Sequence, residues 1–378
     1  MFSNNTSSNY ERPFLWLFLS MIKGLSEAKL NHLAQLCNFN PEAVKEEIER
    51  QNVQREESKK YLFPKPDEAK RRWQLYSQKY RIITVSNTDY PQQLFDLEDP
   101  PSILYCRGSG SLNFNNGVAV VGSRNADGYG QAMALELSTS LAEHGLTIVS
   151  GLALGIDACA HRGALKGGGS TVAVMGCGIN ICYPSANKKL SKVIEEHGLI
   201  ISEYPENFRP LPYNFPYRNR IIAALSRAVV VVQAHYKSGA MITANLAADL
   251  GRQVLAVPGP INSQQSEGPL ELIANGAGLV RHSLDVMDSL GVLLSDSNHS
   301  ETISKNTLSS LERSILAALD SSGTDTNTIS LRTACPLGHL VTALNKLELN
   351  GQVLRLPNSL WVRKSQLKPT VKSQTQLF

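Results

Sequence analysis

Short apolar runs alternate with helical stretches from residue 117 to about residue 290, and this alternation constrains the fold more than any other feature. Six runs rich in valine, isoleucine and leucine have the pattern of buried strands, at 118–121, 146–149, 171–174, 199–201, 228–232 and 254–257. Helical patterns lie between them at 126–143, 155–166, 187–197, 218–225 and 240–251. Continuous apolar strands separated by helices are typical of a parallel sheet covered on both faces. The sequence therefore predicts an α/β fold, an extended Rossmann-like, mostly parallel sheet with helices on both faces.

Polar stretches and changes of pattern divide the rest of the 378-residue chain. Residues 1–9 are rich in Asn and Ser and are predicted to be flexible, as is the polar tail at 366–378. A helical module is predicted over 10–65, the Rossmann-like domain over 66–294 and a Ser- and Asn-rich linker over 295–306. Three helical patterns and a hairpin over 307–365 predict a winged-helix-like module.

The N-terminal module contains an apolar run at 14–21 and a hydrophobic–glycine–hydrophobic turn at 22–26. The run is shorter than the ~20 residues that span a bilayer, so we expect a buried helix and a cytoplasmic protein without membrane contacts. The turn is similar to those of SAM-like and helix-hairpin-helix modules, the latter of which hold phosphate with turn amides. A helical packing module without a ligand is the favoured interpretation of this single turn. Six scattered cysteines lack metal-ligand spacing, so reduced thiols and no metal are expected.

The segment from Arg209 to Lys237 has a local excess of positive charge. It carries five Arg and Lys residues and no Asp or Glu, whereas the whole chain has a formal net charge of only +4. An aromatic ring followed by two guanidinium groups, at Phe215, Arg218 and Arg220, suits an unstacked base and its phosphates. The alternative is a helix N-terminus with solvated arginines.

Three glycine-rich turns follow strands and are predicted to lie at one edge of the sheet. Their candidate ligand-binding residues are Gly122, Ser123 and Arg124 in the first turn, Ser150, Gly151 and Gly155 in the second, and 176–178 in the third. Glycine lets successive amides approach an anion, and parallel sheets bind ligands beyond the carboxyl ends of their strands. Each turn alone also suits tight strand–helix packing, but three at one edge favour phosphate binding.

Two further groups of polar residues have alternative interpretations. The stretch 238–244 opens a small-residue helix, which leaves the helix amides accessible or simply allows packing on the sheet. Asp157 and His161 lie four residues apart on one helix, as an acid–base pair would. We favour the alternative that Asp157 caps the helix and His161 packs inside. Neither the GxGxxG fingerprint nor a Walker lysine is present, so no nucleotide cofactor is predicted.

In chain order, these motifs resemble those of the DNA-processing protein A family, also called DprA or Smf. The segments that carry the resemblance are 121–124, 150–157, 160–165, 176–178, Tyr183-Pro184, Ser202-Glu203, 215–226, Ser238-Gly239 and 257–259. The resemblance spans about residues 80 to 280, and the helical and winged-helix-like flanks also fit the family.

The resemblance implies a homodimeric, non-catalytic protein that binds and protects single-stranded DNA. It also implies that the protein loads the RecA recombinase onto incoming DNA in natural transformation, past single-strand-binding protein. The residues it assigns to DNA are Gly122, Ser123 and Arg124 for phosphates, Phe215 for a base, Arg218, Asn219 and Arg220 for support of the strand, and Ser238, Gly239 and Thr243 for the far side of the pocket.

Three positions depart from the family pattern. Gln233 stands where an acidic residue commonly follows the strand, and Leu270 stands where Asn is usual. Both departures affect the far wall of the pocket that the resemblance implies. Asn214 is neutral where other members can be more basic, which concerns the affinity for DNA. Apolar residues at 270–273 are candidates for a self-association face, although the same residues suit a core.

Two other functions share elements of this architecture. The cytokinin-activating phosphoribohydrolases have a related sheet and a glycine-rich loop that ends in a catalytic Glu, but 238–245 contain no Glu or Asp. A duplex-DNA regulator would use the winged helix, whose predicted recognition helix, 337–350, carries only Lys346 as a basic side chain, with His339 as a helper. Protein–protein contact or support of the dimer is the favoured role of this module.

Overall fold

A nine-stranded mixed sheet forms the centre of the larger of the two units into which the chain divides. The structure is a computed structural model that describes residues 8–291, 310–320, 323–349, 352–355 and 360–363. The two units are Met1–Leu293 and Leu294–Phe378. The predicted linker at 295–306, the predicted tail at 366–378 and all but the last two residues of the predicted flexible stretch 1–9 lie outside the described residues.

The central sheet is mostly parallel, as predicted. Its strands are β1 Arg81–Thr84, β2 Ile103–Arg107, β3 Gly117–Val121, β4 Thr147–Ser150, β5 Thr171–Met175, β6 Leu199–Ser202, β7 Ala228–Val231, β8 Gln253–Ala256 and β9 Gly278–Leu279. Their spatial order is β1-β2-β6-β5-β4-β3-β7-β8-β9, and all pairs from β6 to β9 are parallel. β3 lies between β4 and β7, and the strand order runs in opposite directions on its two sides. Such a switch point leaves a crevice beyond the carboxyl ends of the strands.

Two antiparallel strands, β1 and β2, extend one edge of the sheet. The apolar run 82–85 has the pattern of a strand and corresponds to β1, whereas β2 is absent from the sequence prediction. β2 pairs antiparallel with both β1 and β6. Pro100 and Pro101 lie shortly before it and indicate an extended connection, and no helical pattern separates it from β1. All but the last of its residues are buried, so the edge contributes to the core.

Helices cover both faces of the sheet. In this unit they are α1 Ser8–Ser20, α2 Glu27–Leu36, α3 Pro41–Val53, α4 Pro66–Lys79, α5 Gly128–Glu143, α6 Ile156–Lys166, α7 Lys188–His197, α8 Asn214–Ala224, α9 Gly239–Asp249, α10 Glu267–Ala274 and α11 Ser283–Ser289. Alternate residues of β3 belong to different apolar clusters. Val118 and Val120 pack with α5 and α6, whereas Ala119 and Val121 pack with α7, α8 and α9. Side chains on both faces are buried, which explains the continuous apolar runs.

The N-terminal helices pack as one group that includes α4. The apolar run at 14–21 forms most of α1, and Trp16, Leu17 and Leu19 are buried, which confirms the predicted buried helix. Phe14 of α1 contacts Trp73 of α4 edge to face, with ring centroids 6.2 Å apart. No helix among the described residues is long and apolar enough to cross a membrane.

A buried ion-pair network joins these helices to the sheet domain. Arg220 on α8 donates from Nη2 to Oε1 of Glu203 (2.8 Å) and from Nε to Oδ1 of Asp99 (3.1 Å). Asn31 on α2 donates to the same Glu203 oxygen (2.6 Å) and accepts from the amide of Ser102 (2.8 Å). The Arg220 and Glu203 side chains are only 6% and 3% exposed. Burial alone would lower the pKa of Arg220, but the Glu203 carboxylate raises it above its ordinary value, with a smaller contribution from Asp99.

The smaller unit has the three helices and the hairpin of a winged helix. Its elements are α12 Ser310–Ala317, β10 Thr324–Asp325, α13 Thr326–Thr333, α14 Leu337–Leu349, β11 Val353–Arg355 and β12 Leu360–Arg363. The strands pair in the order β10-β12-β11, and Trp361 packs with Leu340 and Leu344 in the core. The predicted recognition helix corresponds to α14. The predictions for Asn350 and for the Lys346 side chain lie outside the described part of the chain.

We predict that Arg220→Met lowers the free energy of unfolding by about 3–5 kcal/mol, because it leaves the Glu203 carboxylate buried without its cation. Chemical denaturation followed by tryptophan fluorescence measures the loss. Lys45→Met is a matched control, because Lys45 pairs with Glu49 at the surface (3.7 Å) and such pairs contribute about 1 kcal/mol or less. Equal losses in the two variants would contradict the prediction.

Candidate nucleic-acid interface

A cavity of about 380 Å³ lies at the switch point of the sheet, beyond the carboxyl ends of β3 and β7. Its lining comes from the first glycine-rich turn, the start of α6, α8 and the start of α9. Nine of the thirteen predicted site residues line it: Gly122, Ser123, Arg124, Phe215, Arg218, Asn219, Ser238, Gly239 and Thr243. We call it the main cavity. The four predicted residues outside its lining are Ser150, Gly151, Gly155 and Arg220.

Arg124 and Phe215 lie together in the lining of the main cavity. The Cζ atom of Arg124 is 5.7 Å from the centroid of the Phe215 ring. Arg124 is exposed and forms no ion pair among the described residues, whereas Phe215 is half-buried. The ring of Tyr183 also contacts Phe215, with centroids 5.3 Å apart and planes inclined by 34°. A free guanidinium therefore stands beside two accessible aromatic rings.

Arg218 is a buried cation without a carboxylate partner among the described residues. Its Nη1 donates to the carbonyl oxygens of Gly151 (2.9 Å) and Val174, and its Nε donates to Oδ1 of Asn219 (3.2 Å). Burial lowers the pKa of Arg218 to about 10, against the attraction of the nearby Asp157 carboxylate. Arg218 lines the main cavity and also a smaller cavity of about 90 Å³. Its positive charge is therefore available to an anion that enters.

Arg220 lies only two residues further along α8, yet it does not line the cavity. Its guanidinium is held by Glu203 and Asp99 and lies 4.0 Å from the centroid of the Tyr217 ring. The predicted contact of Arg220 with DNA does not fit this placement, because the guanidinium is buried outside the cavity lining and its Nε and Nη2 atoms donate to carboxylates. Its acidic partners lie 121 and 17 residues away in sequence, outside the carboxylate-free segment that suggested a DNA contact.

The start of α9 supplies hydrogen-bond donors to the opposite wall. Ser238 is the N-cap of α9, but its side chain makes no capping hydrogen bond, and its Oγ is buried without a partner among the described residues. The first amides of a helix lack acceptors within the helix and favour anions. Asn219 Nδ2 (3.1 Å) and Thr243 Oγ1 (3.2 Å) both donate to the carbonyl of Gly239. These two side chains thus fix the α9 N-terminus, and Ser238 adds a donor.

The second glycine-rich turn is held by internal hydrogen bonds and by close packing against the first turn. Ser150 is fully buried and donates to the carbonyl of Val120 (2.8 Å). The amide of Gly151 donates to Oδ2 of Asp157 (3.1 Å), so a carboxylate of the chain already occupies it. Gly155 has φ of +73°, and a Cβ there would lie 2.2 Å from the carbonyl oxygen of Ser123. The predicted phosphate contacts of Ser150, Gly151 and Gly155 therefore do not fit their placement, because the Ser150 hydroxyl and the Gly151 amide already donate within the chain and Gly155 packs closely against Ser123.

The third turn also serves packing. A Cβ on Gly176 would lie 2.9 Å from the Phe215 ring, and a Cβ on Gly178 would lie 2.6 Å from the carbonyl oxygen of Pro205. Gly176 thus provides the space in which Phe215 lies at the edge of the cavity.

Asp157 and His161 are not placed as an acid–base pair. The N-cap of α6 is Gly155, and Asp157 instead accepts from the amides of the preceding turn, which corrects the predicted helix cap. His161 is fully buried, with its Nδ1 2.7 Å from Oγ1 of Thr171. Burial lowers the pKa of His161 to about 3, so the predicted packing role is confirmed. Burial raises the pKa of Asp157, against the effect of the Arg218 guanidinium.

The three positions that depart from the family pattern lie outside the cavity lining. Gln233 is buried, donates from Nε2 to Oδ1 of Asp127 (2.9 Å) and accepts from the Ser123 amide at its main-chain oxygen (2.6 Å). Gln233 therefore links the first glycine-rich turn to the segment that follows β7 by hydrogen bonds. Leu270 is half-buried on α10, and Asn214 is only 1% exposed.

Three polar lining residues have no part in the sequence analysis: Asn125, His235 and Gln265. Asn125 directly follows Arg124, and this adjacency was an available signal. His235 precedes the α9 cap and pairs with Glu267 (3.2 Å). Gln265 belongs to a short 3-10 turn before α10 and carries no motif, so only the fold brings it to the cavity.

Comparison with known proteins agrees with this geometry. The sequence model of the DNA recombination-mediator protein A family matches residues 81–291, and that of the DprA winged helix domain matches residues 300–359. Protein Smf of Synechocystis sp. is 36% identical over 304 residues, which cover 76% of this chain and 74% of the relative.

Two solved structures resemble this one. DNA processing protein A (DprA) of Streptococcus pneumoniae has a TM-score of 0.57 and 35% identity, covering 68% of this chain and 86% of that one. DNA processing protein A of Helicobacter pylori has a TM-score of 0.51 and 33% identity, covering 56% of this chain and 97% of that one. The chain therefore belongs to the DNA recombination-mediator protein A family, the DprA/Smf family that its motifs resemble.

Proposed function

We propose that the main cavity binds single-stranded DNA without cleaving it, and that the protein protects incoming strands and loads RecA onto them in natural transformation. The observation that carries the proposal is the arrangement of two unpaired arginines, Arg124 and Arg218, with Phe215 and the α9 N-terminus around one cavity. The related Helicobacter pylori protein has a described single-stranded DNA binding mode, which supports the same ligand here.

The positions of the donors suggest how a strand is held. Arg218 and the α9 N-terminus lie around the cavity where a phosphate can enter, and guanidinium–phosphate hydrogen bonds are strong. Phe215 and Tyr183 offer rings on which a base can stack, a contribution of about 1–3 kcal/mol per base. A duplex keeps its bases inside the stack and must flip one out at a cost of a few kcal/mol, so single strands are preferred.

Loss of the cavity contacts tests the site directly. We predict that Arg124→Ala and Phe215→Ala each weaken binding of oligothymidylate, the latter by about 1–3 kcal/mol, because a cation or a stacking ring is removed. Fluorescence anisotropy at several salt concentrations measures both the affinity and its salt dependence. Phe215→Tyr, which keeps the ring, and Arg81→Ala, which removes a cation paired with Asp89 (2.7 Å), are the controls. Unchanged affinity in both cavity variants would remove the main cavity from the proposal.

The rival function is hydrolysis of a nucleotide, because Asp157 places a carboxylate in the lining. The binding proposal instead treats Asp157 as a structural acceptor whose charge opposes a bound phosphate. We predict that affinity for oligothymidylate increases as pH falls from 7 toward the raised pKa of Asp157, because protonation removes that repulsion.

Asp157→Asn should bind more tightly at pH 7 and lose this pH dependence, and neither protein should turn over AMP. Anisotropy titrations across pH and an assay for adenine release measure the two outcomes. AMP turnover by the wild type that disappears in Asp157→Asn would establish the hydrolase instead.

The homodimer and the RecA partnership are proposed from the family resemblance. Leu272 is 8% exposed and packs with Ile273 on the core, so the 270–273 candidates do not form an open face. Leu279 in the edge strand β9 and Leu284 in α11 are 43% and 41% exposed, and we propose this sheet edge as the self-association surface.

We predict that Leu279→Lys/Leu284→Lys is a monomer by light scattering and still binds a short oligonucleotide, because the main cavity is untouched.

The wild type should speed RecA filament formation on DNA covered with single-strand-binding protein, measured by the RecA ATPase, and Arg124→Ala should not. An unchanged mass of the double variant would exclude this edge. A wild type without effect on RecA would exclude loading.

A further inference from the structure

A groove of about 510 Å³ opens on the N-terminal helices, between the turn at 22–26 and the start of α4. Its lining includes three cations, Lys23, Lys65 and Arg71, and an apolar wall that contains Leu62 and Phe63. We call it the N-terminal groove. None of its lining residues belongs to the main cavity.

The positive charge in the N-terminal groove is not compensated. Lys23, Lys65 and Arg71 are exposed and form no ion pair among the described residues. Arg71 donates to the carbonyl oxygen of Asp67 (3.3 Å), which does not neutralise it. Glu68 is the one carboxylate in the lining, and Arg72 lies 3.6 Å from it. The groove therefore carries a net positive charge.

Three surface cations elsewhere on the N-terminal module are paired. Lys45 lies 3.7 Å from Glu49, Arg50 lies 2.7 Å from Glu47, and Lys59 lies 2.7 Å from Glu56. Carboxylates thus neutralise these three cations, whereas the three cations that line the groove have no such partner among the described residues. Free cations around a concave surface attract a polyanion.

The apolar wall indicates which polyanion fits. Leu62 is 59% exposed, and the half-buried ring of Phe63 is held by stacking on Phe18, with centroids 6.1 Å apart and planes inclined by 29°. Single strands present bases as well as phosphates, and apolar or aromatic side chains pack on those bases. A duplex presents mainly phosphates and sugars at its surface, so the wall favours a single strand.

The turn at 22–26 contributes a side chain to the groove. The Lys23 amide donates to the carbonyl of Leu62 (3.0 Å), and the Leu25 amide donates to that of Ile22 (3.3 Å). These two amides are therefore not available to a phosphate. The Lys23 side chain remains free to bind.

We propose that the N-terminal groove is a second binding site for the backbone of single-stranded DNA, which holds a part of the strand outside the main cavity. The inference rests on the proposed function, since it assumes that the strand is a ligand of this protein. A strand held at two places on one chain binds more tightly than either site alone, because the second contact is intramolecular.

The test compares two triple variants of the full-length protein with equal loss of charge. One is Lys23→Gln/Lys65→Gln/Arg71→Gln in the groove, and the matched control is Lys45→Gln/Arg50→Gln/Lys59→Gln on the same helices. Each is titrated by anisotropy with oligothymidylates of about 5 and about 30 nucleotides, the first near the lower end and the second beyond the upper end of the ~4–16 nucleotides that a single binding fold covers. A duplex of the longer length is titrated alongside.

For the long strand, the groove variant should lose about tenfold in affinity, and the slope of log Kobs against log salt should become shallower by about 2, the value for three phosphate contacts at ~0.7 each. The short strand, which occupies the main cavity alone, should bind both variants as it binds the wild type. The control variant should match the wild type with both lengths.

Three results would overturn the proposal: equal losses in the groove and control variants, an equal loss with the short strand, or a loss confined to the duplex. Failure of the underlying function gives a different pattern. In that case the wild type binds neither oligonucleotide, or the Arg124→Ala and Phe215→Ala variants bind as well as the wild type.

Discussion

The close approach of the first two glycine-rich turns at the carboxyl edge of the sheet determines the rest of the site. A Cβ on Gly155 would lie 2.2 Å from the Ser123 oxygen, and a Cβ on Gly122 would lie 2.6 Å from Ile156 Cγ1. Glycine at both positions lets the turns touch. Asp157 accepts from the amide of Gly151, so this donor of the second turn is already used, and the main cavity lies between the first turn, α8 and α9.

Two arginines of α8 show how similar side chains acquire different roles. Arg220 is neutralised by Glu203 and Asp99 and joins the N-terminal helices to the sheet domain. Arg218 is equally buried, but carbonyl and amide oxygens hold its guanidinium, and the nearby Asp157 carboxylate partly compensates its charge without forming a direct ion pair. Burying a cation without a close ion pair is unfavourable in the free protein. This partly compensated charge is the reason that we assign Arg218 to the proposed phosphate site.

Local charge, rather than the net charge of +4, distinguishes the two surfaces that we assign to DNA. At the main cavity, unpaired guanidiniums lie beside the aromatic rings of Phe215 and Tyr183. At the N-terminal groove, free lysine and arginine side chains lie beside Leu62 and Phe63. Both combine cations with apolar surface, the combination that suits phosphates and unstacked bases together. Elsewhere on the N-terminal module, carboxylates pair with Lys45, Arg50 and Lys59.

The sequence by itself determined the parallel sheet, its helices, the winged-helix-like module and the region of the site, because strand and helix periodicity and glycine-rich turns are local patterns. It also brought together Arg124, Phe215 and the start of α9, since carboxyl ends of parallel strands meet at one edge. Only the tertiary structure decided which donors are free. The Ser150 hydroxyl donates to Val120, and Arg220 forms ion pairs with Glu203 and Asp99, all partners outside the local pattern. Likewise, β2 joins the sheet by pairing with β6. Burial and hydrogen-bond satisfaction depend on contacts across the fold, which no local pattern records.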